Sequence, residues 1–183
     1  MPTPIGHCLI GLAVGEFYSK RKPGEKHAWI TSLYFTAVAC MADLDFISWD
    51  GDGLNISSLG HHGITHSLGF AVIASALAGA VAVFLDSPNW FRLSFLTGLA
   101  YTSHIMADII CVDEFPQNGI GLPALWPLSG DYYIIPLLPG VDRSHVFTMA
   151  NAVNLSLEIA LFGGVYLAAQ WLMKAKNPQR QFQ

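Results

Sequence analysis

Histidines, together with three aspartates set in apolar sequence, are the residues through which this chain could do chemistry. His104 and Asp108, in His-Ile-Met-Ala-Asp, are four residues apart. On a helix they stand on one face about one turn apart and can converge on one divalent ion. Asp43 and Asp45, in Ala-Asp-Leu-Asp, are two apart. They point to nearly opposite sides of a helix, so both can ligate only if the helix unwinds there or if they serve different ions. In His61-His62-Gly63-Ile64-Thr65-His66-Ser67, His62 and His66 share a face if a helix already runs there. His61 reaches the same place only if it precedes the first turn, which Gly63 permits. Thr65 and Ser67 suit hydrogen bonds that orient a ligating imidazole or carboxylate. His7 joins the set through its depth in the chain's apolar pattern.

The elements that must position these groups are apolar helices. Of the 183 residues, 52% are hydrophobic and 12% charged, against roughly 25% charged in an average soluble domain, and the mean hydropathy is +0.43. The composition excludes a disordered or collagen-like chain. A formal charge of -4 argues against nucleic acid as a partner. Apolar runs at 5–19, 28–48, 64–85, 91–112 and 146–173 predict an all-α, polytopic membrane bundle of about five transmembrane helices in one domain over 1–183. The first run is short, and its Gly6, Gly11 and Gly15 suit close packing on neighbouring helices. Cys8, Cys40 and Cys111 are widely spaced and read as small buried hydrophobes rather than a disulfide framework.

Basic residues set the expected orientation. Lys20, Arg21, Lys22 and Lys26 follow the first run, Arg92 opens the fourth, Lys174, Lys176 and Arg180 follow the last, and Arg143 stands on the opposite side. The positive-inside rule therefore predicts an outer N-terminus, a cytoplasmic C-terminus, and loops 49–63 and 113–145 outside. On that topology six of the seven histidines, together with Asp43, Asp45 and Asp108, gather at the outer level. Ionisable groups within a span are costly and imply partners inside the bundle. A divalent metal near the extracytoplasmic face is the partner that carboxylates and imidazoles share.

The N-terminal His7 in a short apolar helix, then Ala-Asp-Leu-Asp, His-His-Gly-Ile-Thr-His-Ser and His-Ile-Met-Ala-Asp, then a Gly-rich stretch ending Leu125-Trp126-Pro127-Leu128, resembles the YdjM-like family of LexA-regulated, membrane-bound metal-dependent hydrolases. The motifs cover roughly residues 5–130 in order. The resemblance implies an inner-membrane hydrolase, more remotely similar to zinc-dependent phospholipase C and P1-type nucleases. Its implied ligands are His7, Asp43 or Asp45, His61, His66, His104 and Asp108, with Asp45 and His66 the expected catalytic pair. His62 stands where the family usually has Arg. The family pattern favours His61 where helical spacing favours His62.

The segment 113–145 holds five prolines and is expected over the outer mouth of the bundle, as an ordinary loop or as a lid. Asn151, Asn154 and Glu158 form a polar stripe on the last run, expected to face the bundle. The expected activity is hydrolysis of a phosphoester or related ester of a lipid or amphipathic substrate, using one or two divalent ions, zinc best matching the His and Asp mixture. A metal-ion or proton transporter is the competing class. It calls for polar groups continuing to the inner face, where Asn154, Glu158 and Glu16 are the main candidates.

Overall fold

The structure, a computed structural model, describes residues 2–18, 28–49, 62–112, 121–142 and 145–176. Five α-helices, α1 (Pro4–Tyr18), α2 (Ala28–Ala39), α3 (Leu68–Phe84), α4 (Trp90–Ile110) and α5 (Met149–Ala175), are joined by a 3-10 segment, Met41–Trp49. The described residues contain no β-strand, only isolated bridges Cys111–Leu138 and Leu122–Tyr133. Helices α1 and α4 are central. α1 lies against α2, α4 and α5, and α4 also lies against α2 and α3.

Small residues set the spacing of these contacts, as membrane helices require when no hydrophobic effect drives them together. A Cβ on Gly6 would collide with Glu158 Oε1, and one on Gly11 would meet Thr36 Cα at 2.6 Å. α1 therefore uses one glycine against α5 and another against α2. Across α3 and α4, Ser75 Oγ donates to the Ser94 carbonyl at 2.9 Å, and Ser94 Oγ donates to the Ser75 carbonyl at 2.8 Å. Phe35, Leu96, Ala100, Tyr101 and Ile105 fill the main core.

Two helices, α4 and α5, are long and apolar enough to cross a membrane. The expected runs 28–48 and 64–85 are not continuous α-helices. α2 ends at Ala39 and gives way to the 3-10 segment. The Ala39 carbonyl, which would accept from the Asp43 N–H in a continuing helix, accepts from His104 Nδ1 at 2.7 Å. α3 begins at Leu68, where Ser67 accepts from the Phe70 N–H as its N-cap. Residues 62–67 form a compact turn, with His62 in the left-handed region at φ 62°.

α5 buries only Asn151, Glu158, Phe162 and Ala169. Val153, Leu157, Leu161, Val165 and Trp171 stay exposed, an apolar face that suits lipid. Its polar stripe does turn inward. Asn151 Nδ2 donates to the carbonyls of Asp142, His145 and Val146, and Asn154 Nδ2 donates to Gly140 O. Glu158 accepts from the Thr3 and Gly6 N–H groups and from Thr3 Oγ1, at 2.7–3.0 Å. A carboxylate thus caps the start of α1, taking the Thr3 N–H and sharing the Gly6 N–H with the Thr3 carbonyl.

Residues 121–142 form a non-helical strap across the ends of α3 and α4. The Leu68 and Gly69 N–H groups donate to Ala124 O and Trp126 O, while Ile109 O accepts from Ile135 and Ile110 O accepts from Leu137 and Leu138. Gly69 permits this contact, since a Cβ there would stand 2.6 Å from Trp126 O. At the opposite end Arg92 donates to Phe17 O at the close of α1 and lies over the Tyr18 ring.

Candidate metal centre

Four chain segments bring their ionisable groups to one end of the bundle: the start of α1, the 3-10 segment, the turn before α3 and the last turns of α4. His7, His66, His104 and Asp108 are all within 1% of complete burial. Asp108 is the hub. Its Oδ2 lies 3.0 Å from His104 Nε2 and 3.6 Å from His66 Nε2, and its Oδ1 lies 3.6 Å from His7 Nε2. Asp43 faces the same imidazoles, with Oδ1 3.6 Å from His66 Nε2 and 3.7 Å from His104 Nε2, and Oδ2 4.0 Å from His7 Nε2. The His7 and His104 rings stack with centroids 3.8 Å apart.

The outer ring nitrogens are held in a way that aims the inner ones. His104 Nδ1 donates to the Ala39 carbonyl, which leaves the lone pair of a neutral ring on Nε2. His66 Nδ1 stands 3.0 Å from Asp45 Oδ2, which also accepts from Thr65 Oγ1 at 2.8 Å. Tyr101 holds the same turn by donating to Thr65 O at 2.8 Å. Asp43 and Asp45, two apart, thus serve different faces of His66. The 3-10 geometry places Asp43 beside the cluster and Asp45 behind the ring.

This donor set fits a divalent cation. Among the described residues, His7 Nδ1 and Nε2, Asp43 Oδ1, His104 Nε2 and both Asp108 oxygens are buried without a hydrogen-bond partner. Buried polar atoms left so cost free energy, and with a neutral His104 ring the Nε2 lone pair faces the Asp108 carboxylate, acceptor against acceptor. A cation between them reconciles both. Atoms sharing a zinc ion at about 2.0–2.1 Å stand about 3–3.5 Å apart, close to most separations found here. Among the described residues, three groupings could hold an ion: His7, His104 and Asp108; Asp43, His66 and His104; and His62, His66 and Asp108.

His62 is buried, and its ring lies 4.8 Å from that of His66. The two come together through the turn rather than along a helix face. His61, like His27, Asp50 and Asp52, lies outside the described residues. Ser67 serves as a helix cap, and only Thr65 reaches the site. Asp142 and His145 form an exposed pair of their own at 3.1 Å. No cysteine belongs to a metal-competent group among the described residues. Cys8 and Cys40 are half-buried rather than core residues, and their sulfurs lie 3.8 Å apart. Sequence gave no sign of the Ala39 carbonyl, because a backbone acceptor has no residue signature.

The chain is similar to the inner membrane protein YbcI of Escherichia coli (strain K12), with 28% identity over 139 residues, covering 74% of this chain and 73% of that protein. No solved structure matches it. The family model described as YdjM inner membrane protein matches residues 1–177, so this chain belongs to the YdjM inner membrane protein family.

Proposed function

We propose that this protein is a membrane-bound metal-dependent hydrolase that cleaves a phosphoester or related ester of a lipid or amphipathic substrate. The carrying observation is the convergence of His7, Asp43, His66, His104 and Asp108 at one end of an apolar bundle, with inward atoms of His7, Asp43, His104 and Asp108 that no hydrogen bond satisfies. These five residues would hold the metal, with His62 close by. The mixture of imidazole and carboxylate favours zinc. A divalent ion bound there supplies Lewis acidity, polarising an ester oxygen and making water more acidic.

The chain's own residues prepare that chemistry. Asp45 holds the proton of His66 on Nδ1 and keeps Nε2 turned to the cluster, and Thr65 fixes Asp45 in turn. The Ala39 carbonyl does the same for His104. The basic residues near 20–26 and 174–180 support an orientation with this end outside and the C-terminus cytoplasmic, which meets lipid esters of the outer leaflet.

Purified full-length protein in detergent is expected to retain a divalent metal, and His104→Ala or Asp108→Ala to remove most of it. Hydrolysis across a panel of phosphoesters and phospholipids is expected to need no ion gradient, to cease on chelation and to return with metal. Gradient-driven metal or proton flux in sealed proteoliposomes, with every ester left intact, would overturn the hydrolase in favour of a transporter.

A further inference from the structure

The antiparallel pairing of α1 and α2 sets a register that distance in sequence conceals. Gly15 faces Ser32, Gly11 faces Thr36 with almost no space between the backbones, and the next step along the seam places Cys8 against Cys40. Their sulfurs are 3.8 Å apart, and both residues are half-buried. Cys111, by contrast, is buried at the end of α4.

The pair stands at a sensitive place. Cys8 follows His7. Cys40 is the joint between α2 and the 3-10 segment that carries Asp43, and it follows Ala39, whose carbonyl holds His104. A bond between the sulfurs would fasten the two chain segments that deliver His7 and Asp43.

We propose that Cys8 and Cys40 form a reversible disulfide that clamps α1 to the end of α2 beside the His and Asp cluster. The sulfurs must approach by roughly 2 Å to bond. The oxidant is a disulfide, of a small thiol or of a thiol-oxidising protein. One cysteine loses its proton and attacks a sulfur of that disulfide, releasing one thiol. The second cysteine loses its proton and attacks the mixed disulfide, releasing the other thiol. Two protein thiols are thereby oxidised by two electrons, and the external disulfide is reduced to two thiols. An outward-facing end would expose the pair to the compartment in which disulfides persist. That placement rests on the orientation proposed above, whereas the bond itself does not.

The full-length protein in detergent, treated with oxidised or with reduced glutathione, is denatured and labelled with a maleimide mass tag. Three tags are expected after reduction and one after oxidation, with a Cys8–Cys40 linked peptide by mass spectrometry. Because the oxidant is added, the result is the same whichever way the protein faces. Cys8→Ser and Cys40→Ser are expected to take two tags after reduction, and neither is expected to show an intramolecular link after oxidation. A fully tagged oxidised protein would overturn the proposal. So would glutathione retained on a single cysteine without closure, or a link running through Cys111 or between chains. Size-exclusion elution of the wild type as one species before oxidation ensures that the folded chain is being read.

Discussion

Replacing Asp45 separates a residue that orients a ligand from one that supplies a donor atom. Its carboxylate lies 3.0 Å from His66 Nδ1, on the far side of the ring from Asp43 and Asp108. Removing such a partner lowers metal affinity about 10- to 100-fold, or about 1.4–2.8 kcal/mol. Asp45→Asn keeps an oxygen that can accept from Nδ1 and is expected near the tenfold end. Asp45→Ala abandons His66 and Thr65 together and is expected near the hundredfold end. Asp108→Ala removes oxygens that face His7, His66 and His104, so its loss should exceed both. The assay is competition for zinc between the protein in detergent and a chromophoric chelator, with helical circular dichroism confirming the fold of each variant. Equal losses for Asp45→Ala and Asp108→Ala would make Asp45 a donor itself, and wild-type affinity in Asp45→Ala would refute the orienting role.

Glu158→Ala deprives the Thr3 N–H of its acceptor and the Gly6 N–H of one of its two and is expected to cost about 2 kcal/mol, read as a lower thermal midpoint in detergent. Glu158→Gln should recover part of it, and an unchanged midpoint in the alanine variant would dismiss the cap. A reporter fused after Gln183 is expected to signal from the cytoplasm, and an extracytoplasmic signal would reverse the proposed orientation.

Much of this was legible in the sequence because apolar runs and buried ionisable groups are local signals. Gly6 and Gly11 announced close packing, and the Asn151, Asn154 and Glu158 stripe announced an inward face, since a polar line on an apolar helix has few other places to go. His104 and Asp108 followed from helical spacing and do meet at 3.0 Å. What stayed hidden depended on partners distant in the chain. The end of α2 at Ala39 accompanies the approach of His104, 65 residues away, and that ending decides which of Asp43 and Asp45 faces the cluster. The nearness of Cys8 and Cys40 likewise depends on the register of two helices, which spacing along the chain does not reveal.

The strap over α3 and α4 bears on how the protein meets its bilayer. Helix α3 has 17 residues, or about 26 Å at 1.5 Å per residue, against a hydrocarbon core about 30 Å thick. Short helices are matched to lipid by local thinning, or by ends whose backbone groups are satisfied by protein rather than water. The carbonyls of Ala124 and Trp126 and the amides of Ile135, Leu137 and Leu138 provide that second remedy at the ends of α3 and α4, allowing those ends to stand below the headgroups.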